Sequence, residues 1–162
     1  MIYTFERERE SGIIFVSARL DSEYKFKMVF DTAASRTTFD FNALHVAGYP
    51  VKEITETSAI ETANGIVKVG VFEVDSISAL GQMKSKMRVQ VYDFLSHGIL
   101  SDYEGVLGID FFDNTKFFVD MTEQTFQFLK QGGYRYTIKI CHHCNTTSPA
   151  NAKFCMECAT KL

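Results

Sequence analysis

Apolar and polar positions alternate through most of this chain with the period of two expected of half-buried strands, and no helical period persists for more than a few turns. Gly12-Ile13-Ile14-Phe15-Val16-Ser17-Ala18-Arg19-Leu20 is rich in apolar and β-branched residues, and Asp21-Ser22-Glu23 breaks it. Tyr24 to Phe30 resumes the pattern, which predicts a hairpin that ends at Asp31. Ile54 to Thr62 and Ile66 to Val74 flank Ala63-Asn64-Gly65, and Asn-Gly favours the positive φ angles of a tight turn, so a second hairpin is expected there. Met87 to Tyr92 reads as one more half-buried strand. Phe117 to Asp120 and Thr125 to Phe128 form a hairpin around a turn that Asp120 initiates. Tyr134 to Ile140 also alternates, and the pattern leaves open whether it joins the barrel, a dimer interface or the tail. Asn42 to Gly48 reads as a short helix or turn closed by glycine. A short helix is expected near Asp110 to Asn114, with Asp110 as its N-cap and Asp113 in its first turn. The sum is an all-β fold, a small closed barrel with one short helix.

A length of 162 residues accommodates one core of about 100 to 150 residues and a small appendage. The 46% hydrophobic content and the 15 Phe argue against extensive disorder. Phe111, Phe112, Phe117 and Phe118 are expected in the core. Gln131-Gly132-Gly133 is the best boundary, dividing the chain into 1–133 and 134–162. The net charge of -3 is uneven: Arg135, Lys139, Lys153 and Lys161 against Glu157 make the tail +3 and leave -6 for the rest. An acidic body argues against a general nucleic-acid binder. The first ten residues alternate charges where a secretory signal needs a basic start and an apolar core. No run approaches the roughly 20 apolar residues of a membrane span, so a soluble, cytoplasmic protein is expected.

All four cysteines fall in two C-x-x-C pairs, Cys141/Cys144 and Cys155/Cys158, with ten residues between them. In a reducing compartment this spacing supplies four thiolates to a tetrahedral Zn(II), and four thiolates fill the coordination sphere, so a structural metal is expected and none for catalysis. The segment is similar to the short zinc ribbons at the ends of many prokaryotic proteins. Asn145 and Ala159 stand where such knuckles often carry glycine; Asn tolerates the left-handed conformation, and Ala is less comfortable in it. The role of the ribbon stays open among docking a protein partner, recruiting substrate and stabilising a dimer.

The densest chemical signal is Phe26-Lys27-Met28-Val29-Phe30-Asp31-Thr32-Ala33-Ala34-Ser35, in which a strand delivers one carboxylate to a turn of small residues. Gly105-Val106-Leu107-Gly108-Ile109-Asp110-Phe111-Phe112 adds a strand followed by glycine and a helix start. Together they resemble the retropepsin-like (retroviral-type) aspartic proteases over roughly residues 11 to 130. That resemblance implies that Asp31 is the catalytic acid and base, that Thr32 ties two active-site loops across a dimer axis, and that Ala63-Asn64-Gly65 forms the tip of a flap over a peptide or protein substrate. The pair chemistry needs two carboxylates and the chain offers one such motif, so a C2 homodimer is required. Ala33 replaces the family's usual glycine, where the backbone approaches substrate. That departure sustains a rival expectation, a catalytically weak or inactive dimer that serves as a protein-interaction module through its ribbon. His45 and His97 read as surface or packed histidines, and Lys84, Lys86 and Arg88 as a solvated strand face.

Overall fold

The computed structural model describes residues 2–62, 65–129, 138–149 and 151–162. It separates into two compact units, Met1–Leu129 and Lys130–Leu162.

In the first unit β1 (Ile2–Thr4), β2 (Glu6–Arg7), β3 (Ile14–Leu20), β4 (Tyr24–Phe30) and β5 (Thr38–Asp40) precede α1 (Phe41–Val46). Then follow β6 (Thr57–Thr62), β7 (Gly65–Ala79), β8 (Gln82–Tyr92), β9 (Gly105–Leu107), a 3₁₀ turn at Ile109–Phe112, β10 (Lys116–Asp120) and β11 (Thr125–Leu129). The predicted β3–β4 hairpin forms, with Phe15 opposite Val29 and Leu20 opposite Tyr24, around left-handed Asp21 and Ser22. The predicted β6–β7 hairpin forms as well, with Thr62 opposite Gly65. Its tip residues Ala63 and Asn64, like the boundary expected at Gly132-Gly133 and the strand expected from Tyr134 to Thr137, lie outside the described residues.

The strand order β3-β4-β9-β5-β8-β7 returns to β3, because the end of β7 pairs with it through Ala18–Ala79 and Leu20–Ile77. The sheet therefore closes into the small barrel that the pattern implied. Only a long β7 permits this: its first half carries β6, its second half pairs with β3, and β8 runs along its other edge. Inside lie Leu20, Met28, Phe39, Leu44, Ile77, Val89, Leu107 and Phe111, all essentially without exposure. Each such side chain contributes about 1.5–3 kcal/mol on removal from water. A second, three-stranded sheet in the order β1-β11-β10 supplies Phe126 and Phe128 to an aromatic group with Phe30, Phe112 and Phe117. Phe118 departs from its expected place: it is 54% exposed, since alternation along β10 turns Phe117 and Val119 inward and Phe118 outward.

Helix α1 is capped by Asp40, whose carboxylate accepts from the Ala43 N–H at 3.0 Å and from the Phe94 N–H at 3.0 Å. The second expected helix is the 3₁₀ turn, but Gly108 is its N-cap and Asp110 lies in its first turn. The Asp110 carboxylate is not available for capping, because it is engaged elsewhere, as described below. His45 stacks on Phe41 and His97 on Tyr92, while Lys86 pairs with Asp75 and Arg88 with Glu56 at the surface. Among the described residues no helix is long and apolar enough to cross a membrane.

In the second unit β12 (Ile138–Ile140) pairs antiparallel with β13 (Thr147–Pro149), with Lys139 opposite Ser148. The described part of the strand left open by the sequence pattern therefore pairs within this unit.

Candidate active site and metal cluster

Strand β4 runs parallel to β9, while β5 runs antiparallel to β9 on its other side. The turn that joins β4 to β5, residues 31 to 37, therefore loops over β9, and Asp31 stands at the point where β4 ends. The Asp31 N–H donates to Leu107 O at 3.2 Å, so the ladder continues to the carboxylate itself. One carboxylate oxygen accepts from the Ala33 N–H at 2.8 Å, and Ala34 N–H returns to Asp31 O at 3.3 Å. Asp31 is half-buried, and Thr32 and Ala33 are exposed. Ala33 has a negative φ, so the alanine meets no left-handed strain at the position where the resemblance implied glycine.

Behind the turn the contacts are closer. Ile109 N–H donates to Ala34 O at 2.9 Å. Thr37, fully buried, donates its N–H to both oxygens of Asp110 at 2.9 and 3.0 Å, and its hydroxyl to one of them at 2.8 Å. The Gly108 N–H completes the chain by donating to Thr37 Oγ1 at 3.2 Å. Gly105 and Gly108 make this approach possible. A Cβ on Gly105 would lie 2.5 Å from Thr38 O, and one on Gly108 2.5 Å from the Arg36 carbonyl carbon. Asp110 and Thr37 escaped sequence reasoning because 73 residues separate them; the glycines flanking Val106-Leu107 were the available signal.

A cleft of about 690 Å³ lies beside the turn, bounded by Ala33 to Arg36 and Thr38 on one side and by Ser58 to Glu61 of β6 on the other. Gln90 on β8 forms its floor. Its N–H donates to Thr37 O at 2.9 Å, its side-chain amide donates to Ser58 Oγ at 3.0 Å, and its Oε1 accepts from the Thr38 hydroxyl at 3.3 Å. This buried amide fixes the base of β6 against the strand that leaves the Asp31 turn. Of the residues expected over the cleft, Gly65 begins β7.

In the second unit the Sγ atoms of Cys141, Cys144, Cys155 and Cys158 all lie within 4.8 Å of one another. Two equivalent knuckles bring them there. Asn145 N–H donates to Cys141 O at 2.9 Å and Ala159 N–H to Cys155 O at 3.0 Å, with Asn145 and Ala159 both left-handed at φ 58° and 56°. The Thr160 hydroxyl and N–H draw the Cys158 thiol down to about 5. The N–H groups of Cys158 and Glu157 lower Cys155. Thr146 pulls Cys144 the same way, but the facing Cys158 sulfur, desolvation and Cys155 outweigh it and leave that thiol raised to about 11. A tetrahedral Zn(II) with bonds of about 2.3 Å sets its sulfurs about 3.8 Å apart, and the residues present fit that spacing.

A closed barrel with one carboxylate-bearing turn looped over a buried strand is the retropepsin-like fold of the acid proteases. Residues 16–111 match the family model for aspartyl proteases, and the chain belongs to that family. Among solved structures it is similar to a retropepsin-like aspartic protease from Rickettsia conorii, with a TM-score of 0.60 over 79% of this chain and 89% of that one. At 21% identity that likeness is one of fold. No curated protein sequence matches the chain.

Proposed function

We propose that the protein is an aspartic endopeptidase that works as a homodimer, with residues 1–133 as the protease domain and 134–162 as a linker strand and a ribbon holding one structural Zn(II) through Cys141, Cys144, Cys155 and Cys158. The observation that carries the reading is the placement of Asp31: a half-buried carboxylate at the end of a barrel strand, held by the Ala33 N–H in a turn whose next residues, Ala33 to Arg36, line the cleft.

Two copies of Asp31 brought together on a twofold axis share one proton, because like charges about 3 Å apart do not both ionise. The ionised member takes a proton from water as the water attacks the scissile carbonyl. The protonated member donates to that carbonyl oxygen; on collapse the amine leaves with the proton taken from water, and one hydroxyl of the tetrahedral intermediate returns its proton to the other carboxylate, which restores the shared proton. Thr32 would join the two turns, and Ala63-Asn64-Gly65 would close over a peptide or protein substrate. The cytoplasm, where thiols stay reduced, suits the cysteine set.

The test is cleavage of a diverse peptide library at mildly acidic and neutral pH by wild-type protein and Asp31→Asn, with zinc retained and the oligomeric state recorded. Loss of cleavage in the variant is the expected result. A wild-type dimer that cleaves nothing would sink the proposal.

A further inference from the structure

The cleft has a side pocket of about 220 Å³ that shares Arg36, Ser58 and Gln90 with it and adds Glu56, Val71 and Arg88. Its polar groups are unequal. Gln90 and Ser58 satisfy each other, and Arg88 is engaged by Glu56. The Arg36 guanidinium has no hydrogen-bond or ion-pair partner among the described residues, although it lines both cavities. Two guanidiniums against one carboxylate give the pocket a charge of +1, located on Arg36. Glu61, an acidic group on β6, lines the main cleft but not this pocket.

We infer that Arg36 is a specificity-determining residue that selects a substrate with an acidic side chain, Asp or Glu, at the position seated in this pocket. The inference rests on the endopeptidase reading and adds its substrate class. Guanidinium and carboxylate pair through planar, charge-assisted hydrogen bonds. The five donors of Arg36 have no internal acceptor to give up when a ligand carboxylate arrives. A lysine in the same place would meet Arg36 and Arg88, with only an already paired Glu56 as attraction. The half-buried Val71 offers apolar contact to the methylenes of a Glu side chain. The site is open to solvent, so the selectivity is modest and falls with salt.

The test uses peptide sets that differ only in Glu, Gln or Lys at one position, scanned along a cleaved substrate, with wild-type, Arg36→Gln and Arg36→Glu proteins. Each protein's Gln peptide is its internal reference. Wild type should favour Glu at one position by about tenfold in kcat/KM, equivalent to about 1.4 kcal/mol. Arg36→Gln should erase the ratio, and Arg36→Glu should transfer the preference to Lys at that same position. The same peptides are also titrated by fluorescence anisotropy onto Asp31→Asn, alone and with each Arg36 substitution added. Cleavage that depends on Asp31 with equal Glu/Gln ratios in wild type and Arg36→Gln would overturn this inference and leave the endopeptidase standing. Binding that prefers Glu through Arg36, with no cleavage by wild type, would support the pocket and refute the hydrolase. Neither cleavage nor binding would overturn both.

Discussion

Replacing Asp110 separates structural support of the Asp31 turn from the turn's own chemistry. Its carboxylate accepts the Thr37 N–H through both oxygens and the Thr37 hydroxyl through one, at 2.8 to 3.0 Å. Thr37 is fully buried, so water does not reach the groups that Asp110→Ala would abandon. An orphaned buried donor costs about 1–3 kcal/mol, and two donors are at stake, although the hydroxyl retains its bond from Gly108. The expected loss is about 2–4 kcal/mol. Asp110→Asn keeps one carbonyl oxygen able to accept both donors and gives up only the second N–H contact and the charge, so about 1 kcal/mol is expected. Chemical denaturation at fixed protomer concentration and saturating zinc measures both, since association and metal binding each move the midpoint. Under the proposed mechanism kcat should fall more than KM changes, because the turn that carries Asp31 loses its anchor while the β6 and β8 sides of the cleft stay in place. The reasoning fails if Asp110→Ala lies within about 0.5 kcal/mol of wild type, or if Asn and Ala cost the same.

Further outcomes follow from the same contacts. Gly108→Ala would drive a methyl to 2.5 Å from backbone at Arg36, an overlap that only backbone movement relieves, so a loss of about 2 kcal/mol or more is expected in thermal unfolding; a neutral result would mean that β9 is not seated behind the turn as described. Ala159→Gly removes left-handed strain at φ 56° and should strengthen the ribbon by about 1 kcal/mol, seen as greater resistance to a zinc chelator in a metal-release assay. Burial, and then the hydrogen bond donated to Asp21 at 2.7 Å, raise the Tyr49 phenol above its ordinary range. The folded protein therefore keeps a proton that the unfolded chain releases above about pH 10, and stability should decline as pH rises beyond that point. Tyr49→Phe should flatten that alkaline slope in pH-dependent denaturation, and an unchanged slope would assign it to other groups.

Local signals were legible where one segment carried both pattern and punctuation. Alternation and the Asp21-Ser22 break located β3 and β4, and the two C-x-x-C pairs located the sulfur cluster with its left-handed Asn145 and Ala159. The extension of β7 past Val74 was hidden by Asp75, Ser76 and Ser78, whose side chains read as loop. Its turn was hidden by Leu80, which adopts φ 49° in a position where Asn or Asp would have announced a hairpin. Strand β5, three residues long, is too short for periodicity to register, and β9, equally short, was legible only through the glycines that flank Val106-Leu107. The Asp110 assignment failed for a different reason: an Asp before an apolar helix start is usually a cap, and only the return of Thr37 from far earlier in the chain changes its partner. Gln90, an unremarkable polar residue on a half-buried strand, becomes the cleft floor only when β5, β6 and β8 converge on it.

The Asp31 turn has two faces with different demands. Under the proposed mechanism a carboxylate that shares a proton with a symmetric copy has to be held within fractions of an ångström, yet water and substrate have to reach it. The fold divides these tasks between the two ends of the turn. Its rear, at Thr37, is enclosed by Gly105, Gly108 and Asp110, where backbone approaches backbone and no side chain fits. Its front, at Thr32 and Ala33, is open. Substitutions at the rear should therefore cost stability first and rate as a consequence, whereas substitutions at the front should cost rate with little effect on unfolding. Ala33 belongs to the front: it is exposed, lines the cleft and has a negative φ that places no left-handed strain beside Asp31. Ala33→Gly should accordingly leave the unfolding midpoint nearly unchanged and act on KM, which is the reverse of the pattern expected for Gly108→Ala behind the turn.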